Sequence, residues 1–153
     1  GVLGQSQPAA DPRVQAVIGR LSSLAFAANA QVTAVGKSLQ AVYEAGQQGE
    51  VAEQLYTDAE IHAFQAQQIV LPQVLEASTL LFEVGGASAT SNARRLDRHW
   101  RNARTLASHN PAIYREQALG NYYLNGISPA QAWRALHASA SEGQGSGDEA
   151  SAV

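Results

Sequence analysis

The 153-residue chain contains no cysteine and no methionine. Without thiols, disulfides, thiolate metal sites and a cysteine nucleophile are excluded, and the composition suits a reducing compartment, so a cytoplasmic location is expected. Charge is sparse as well: charged residues make up 15% of the chain and the net charge is −3. No global positive field exists to hold a phosphate backbone or an anionic membrane surface, so neither nucleic acid nor membrane is expected as a partner. Long apolar runs are missing too. Runs such as Ile69-Val70-Leu71 and Leu80-Leu81-Phe82 fall far below the roughly 18 residues that a membrane span needs. No run of alternating β-branched residues reads as a strand. The four histidines and the carboxylates form no convincing ligand set, so no metal is expected. Neither a signal peptide nor an initiator methionine opens the chain, and the expectation is a piece of a longer polypeptide; a processed chain is the other reading.

What is present is a globular composition, 45% hydrophobic, patterned at helical spacing. Residues 1–10 read as a linker. Asp11-Pro12 pairs a capping side chain with a proline at the first turn, where its missing N–H costs nothing. From there Val14, Ile18, Leu21, Ala25, Ala28, Val32, Val35, Leu39 and Val42 form one stripe along a helix. Gly46-Gln47-Gln48-Gly49 breaks it, and so short a link implies an antiparallel hairpin. The second stripe is Ala52, Leu55, Ala59, Ala63, Ala66, Val70, Val74, Ala77, Leu81 and Val84, with Pro72 expected to kink the helix without ending it. After Gly85-Gly86 a third helix is expected over Ala93 to Leu106, a fourth from Pro111 to Asn125-Gly126, and a short fifth from Ser128-Pro129 to about His137. The Ser-, Gly- and Glu-rich residues 139–153 read as a disordered tail. The fold class is therefore all-α, an antiparallel bundle filling residues 11–138.

Three features could carry chemistry. Gly85-Gly86-Ala87-Ser88 ends one long helix and leads into another, a junction whose backbone N–H groups could closely approach a phosphate or ribose. The same glycines also serve as a plain helix C-cap. Arg94, Arg95, Arg98, Arg101 and Arg104 hold five of the ten basic residues and could dock an anion or simply form a solvated face. His109 precedes Asn110-Pro111 on a turn, where an imidazole could exchange a proton near neutral pH or stand as a surface histidine.

The order Leu81-Phe82-Glu83-Val84-Gly85-Gly86-Ala87-Ser88, Arg98-His99-Trp100-Arg101-Asn102-Ala103-Arg104-Thr105, His109-Asn110-Pro111 and Gly120-Asn121-Tyr122-Tyr123-Leu124-Asn125-Gly126 resembles the C-terminal domain of the acyl-CoA dehydrogenase superfamily. The flavin monooxygenase branch, with the dibenzothiophene monooxygenases and related sulfur-acquisition enzymes, is nearest in pattern. The resemblance covers about Asp11 to Gly126. It implies a four-helix bundle packed beside an N-terminal helical domain and a middle β-domain in a homotetramer, with a flavin between domains and a neighbouring subunit. Gly85, Gly86 and Ser88 would then lie at the flavin junction, and His109 would face the isoalloxazine. No glutamate occupies the turn around His109, where dehydrogenase relatives place a catalytic carboxylate. The departure favours oxygen chemistry on reduced flavin, and the monooxygenase resemblance implies FMN in preference to FAD, supplied by a separate reductase. An acyl-CoA dehydrogenase and a stand-alone helical interaction module are the competing readings.

Overall fold

The computed structural model describes residues 8–85 and 112–145, and regular structure among them is entirely helical. A 3-10 turn at Pro8–Ala10 precedes α1 (Pro12–Gln48), α2 (Glu53–Gly85), α3 (Ala112–Asn125) and α4 (Pro129–Gly145). The third helix expected over 93–106 lies outside the described residues.

Helix α1 starts where its capping signal stands. Asp11 is extended, its Oδ1 accepts from the Arg13 N–H at 2.8 Å, and Pro12 takes the first turn. A helix of 37 residues spans ~55 Å. It stops at Gln48 because Gly49 adopts φ 140° and ψ −139°, a region that side chains with a Cβ avoid. Four residues later α2 begins, and three side-chain pairs fix the direction in which it runs. Arg20 meets Glu76, Gln31 meets Gln73, and Ser38 meets His62. As the number rises on α1 it falls on α2, so the two form the expected antiparallel hairpin. Helix α2 continues through Pro72.

The seam between α1 and α2 differs from the expected stripe in a regular way. Val14, Leu21, Ala28, Val35 and Val42 are indeed turned inward, at least half-buried. The alternate members Ile18, Ala25, Val32 and Leu39 are exposed, and Val17, Leu24, Gln31, Ser38 and Ala45 take their place. The helix is therefore rotated by about one residue toward α2. Two polar members of the real seam, Gln31 and Ser38, are tolerated there because α2 supplies hydrogen-bond partners for both.

Helix α3 crosses the other side of α2. The adjacent Tyr122 and Tyr123 hydroxyls accept from Gln54 and Gln65 at 3.3 and 2.8 Å, residues about three turns apart on α2. Arg115, buried on α3, donates from Nη1 to Gln67 Oε1 at 3.0 Å. Ile61, the most buried apolar side chain among the described residues at 3% exposure, shares the face of Gln54 and Gln65 by helical spacing. The most deeply buried apolar side chain among the described residues therefore stands on the face of α2 that α3 crosses.

Gly126, at φ 70°, ends α3, and its N–H bonds the Tyr122 carbonyl at 2.9 Å. A reciprocal cap then opens α4: Ser128 Oγ accepts from the Gln131 N–H and Gln131 Oε1 accepts from the Ser128 N–H. Glu60 on α2 accepts from the Ala130 N–H at 3.0 Å, tying the start of α4 to the hairpin and placing negative charge where a helix N-terminus favours it. Helix α4 runs to Gly145, beyond the expected end near His137 and into the stretch read as a tail. Within the extension the Ser139 and Ser141 hydroxyls bond the Leu136 and Ala138 carbonyls, so both side chains find partners inside the helix.

Candidate functional site

Of the residues that the sequence marks for chemistry, the structure places Gly85 as the last residue of α2. Gly86, Ser88, His109 and the arginines at 94, 95, 98, 101 and 104 lie outside the described residues. The two described ends that frame them are Gly85 on α2 and Ala112 on α3. A helix C-terminus exposes carbonyl oxygens and carries partial negative charge. The end of α2 can therefore accept hydrogen bonds from hydroxyls such as those of a ribityl or ribose chain. Donors for a phosphate must come from residues beyond Gly85.

The hairpin carries one strongly apolar cavity, about 360 Å³, along the flank of α1 and α2. Val32, Val35, Gly36 and Leu39 from α1 and Ala63, Ala66, Gln67, Val70 and Leu71 from α2 line it. It offers shape and hydrophobic contact, and no ionisable group lines it. On the opposite flank, Ser38 Oγ and His62 Nδ1 lie 2.6 Å apart. Neither was singled out by its sequence context, because a serine and a histidine 24 positions apart reveal nothing until the hairpin register is known. The pair is exposed and Ser38 Oγ also reaches the Ala34 carbonyl at 3.3 Å, so its evident role is to satisfy a polar seam position. Among the described residues no group of three His, Cys, Asp or Glu side chains is placed to hold a metal ion.

The electrostatics of the hairpin are local. Arg20 Nε and Nη2 donate to Glu76 Oε1 and Oε2 at 2.7 and 3.0 Å, a bidentate pair across the α1–α2 seam. The hydrogen bond from Arg20 holds the Glu76 carboxyl below its ordinary value, helped by the charge of Arg20 and opposed by desolvation. Both side chains are exposed, so the pair orients the hairpin more than it stabilises it.

The acyl-CoA dehydrogenase C-terminal domain model matches residues 3–112. A dibenzothiophene monooxygenase of Mycolicibacterium goodii is 31% identical over 122 residues, covering 80% of this chain and 29% of that protein. A Pseudomonas putida protein described as "probable FMNH2-dependent monooxygenase SfnC" is 50% identical over 56 residues, 37% of this chain and 14% of that one. The FMN-bound dibenzothiophene monooxygenase TdsC of Paenibacillus sp. A11-2 superposes with a TM-score of 0.69 at 28% identity, covering 82% of this chain and 31% of TdsC. This chain thus spans less than a third of the length of these relatives. With the helical hairpin, the crossing helix and the family match in agreement, the chain belongs to the acyl-CoA dehydrogenase C-terminal domain family.

Proposed function

We propose that the protein carrying this chain is a two-component flavin monooxygenase that uses reduced FMN and dioxygen to oxygenate an organosulfur or related small substrate. The observation that carries the reading is the match to dibenzothiophene monooxygenase along 80% of the chain, supported by likeness in fold to an FMN-bound relative. That the chain spans less than a third of these relatives supports the reading that further domains of the same polypeptide supply the rest of the active site. Assembly as a homotetramer, a separate reductase as the source of reduced flavin, and a cytoplasmic location belong to the same proposal.

Within it, Gly85, Gly86 and Ser88 form the flavin junction, and His109 faces the isoalloxazine. Bound flavin supplies the oxygen chemistry, and the protein supplies position and electrostatics. His109 holds a proton near neutral pH at a ring nitrogen, where it can hydrogen-bond an oxygen centre during transfer. The segment Ser108-His109-Asn110-Pro111 has no carboxylate to abstract a proton from an acyl-CoA, which separates this reading from the dehydrogenases. The test is His109→Ala in the full-length protein, followed by product formed per flavin oxidised. Coupled product falls by about 10²-fold, the lower range for a general acid–base group, while peroxide rises. Unchanged coupling removes His109 from the chemistry.

A further inference from the structure

Asparagine precedes glycine once in the chain, at Asn125-Gly126, and the pair stands where α3 gives way to α4. An asparagine side-chain amide is thermolabile because the next backbone nitrogen can attack it, and glycine hinders that attack least, since it has no Cβ. Asn125 and Gly126 are both exposed, and Asn125 borders an open groove of about 700 Å³ between α3 and α4, so water reaches the pair. The last turn of α3 holds the reacting atoms apart. The Gly126 N–H donates to the Tyr122 carbonyl at 2.9 Å, which occupies the attacking nitrogen. Asn125 Nδ2 donates to Asn121 Oδ1 at 2.9 Å, drawing the side chain back toward the start of the helix and away from Gly126. Both bonds lie at a helix end, where local opening costs least.

We propose that Asn125-Gly126 is a spontaneous modification site whose rate is set by the last turn of α3. When that turn opens, the Gly126 nitrogen bonds Asn125 Cγ and the Cγ–Nδ2 bond breaks. The side-chain nitrogen leaves as ammonia, carrying the proton that the Gly126 amide gives up. The succinimide ring so formed takes up one water. Opening at Cγ yields aspartate, and opening at the main-chain carbonyl yields isoaspartate, whose backbone runs through Cβ and Cγ and is one carbon longer. Neither product suits the junction. Aspartate sets a carboxylate at a helix C-terminus, which already carries partial negative charge. Isoaspartate inserts a carbon into a connection of three residues, Gly126 to Ser128. Ser128 is 5% exposed, its reciprocal cap with Gln131 opens α4, and the Ala130 N–H ties that helix to Glu60. A longer backbone displaces these bonds, so modification loosens α4 from the hairpin. The inference concerns the chain's own backbone and holds whichever reaction the full-length protein performs.

The test follows conversion in the full-length protein during incubation at mildly alkaline pH, in buffer and in denaturing urea. Peptide mapping by mass spectrometry reads the exchange of an amide for an acid at each asparagine, and isoaspartyl methyltransferase labels the isoaspartate. In urea Asn125 converts faster than Asn29, which precedes Ala30 in the middle of α1, and in buffer the conversion of Asn125 slows. Asn121→Val removes the acceptor for Asn125 Nδ2 at nearly equal helix propensity. It speeds conversion in buffer by about 5-fold, the worth of one hydrogen bond, and leaves the rate in urea unchanged. Asn125→Gln stays intact in both. Hydrogen exchange through the first turn of α4 quickens as the parent converts. Conversion at Asn125 no faster than at Asn29 in urea overturns the site. Equal rates for the parent in buffer and urea, or for the parent and Asn121→Val in buffer, overturn the control by the last turn. Unchanged exchange in converted protein overturns the consequence for α4.

Discussion

Truncating Ile61 tests whether the crossing of α3 over α2 is the true core. Ile61 is 3% exposed on the face of α2 that carries Gln54 and Gln65, the residues bonded by Tyr122 and Tyr123. Ile61→Ala removes three carbons, ~2.4 kcal/mol of transfer free energy, to which an unfilled cavity adds, giving about 3 kcal/mol. For a domain of this size that lowers the melting temperature by about 6–12 °C. Thermal unfolding of the purified chain, followed by far-UV circular dichroism, reads the shift. Phe26→Ala is the control, since Phe26 is larger but 78% exposed, and its change stays within about 0.5 kcal/mol. A loss below about 1 kcal/mol at Ile61, or a greater loss at Phe26 than at Ile61, would refute the assignment of the core.

Glu76→Gln removes the carboxylate that Arg20 holds below its ordinary 4.5. Because the folded-state value is lowered, the wild type is more stable than the variant above the ordinary carboxylate range. That difference fades as pH falls through and below it, and melting curves across an acid series that show no such convergence would contradict the pairing. Ser128→Ala removes the side-chain acceptor for the Gln131 N–H and costs about 1 kcal/mol, read as faster hydrogen exchange through the first turn of α4; unchanged exchange there would deny the cap its role. The glycines of the first hairpin separate by conformation. Gly49→Ala, at φ 140°, destabilises by about 1–3 kcal/mol, whereas Gly19→Ala, inside α1 with open space around it, stabilises by about 0.5–1 kcal/mol, and equal melting temperatures for the two would overturn both assignments.

The described helices were legible because their signals are local. Asp11-Pro12, Gly49, Gly126 and Ser128-Pro129 each announce a helix end through the backbone geometry or hydrogen bonds of one turn. The rotation of α1 was not legible in the same way. Its apolar residues occupy more than one stripe, so Ile18, Val32 and Leu39 look as inward as Val35 until the partner is known. What decides is non-local: Gln73 and His62 on α2 make Gln31 and Ser38 acceptable at the seam. Arg115 illustrates the same limit, since nothing near it in sequence announces a buried partner, and its bond to Gln67 forms only when α3 crosses α2. The length of α4 was missed for the opposite reason. Its serines look like loop residues, but they hydrogen-bond within the helix. At the candidate site the structure adds the helix end at Gly85, while the proposed roles of Gly86, Ser88 and His109 rest on sequence order and family.

The central claim is most directly tested by incorporation of labelled oxygen. The full-length protein is given reduced FMN from a separate reductase, ¹⁸O₂, and an organosulfur substrate such as dibenzothiophene, with an acyl-CoA in a parallel reaction. The account predicts one labelled oxygen atom in the sulfur product for each transfer, dependent on the reductase, and no oxidation of the acyl-CoA. Oxidation of the acyl-CoA to its enoyl form without oxygen incorporation would contradict it and assign the protein to dehydrogenation.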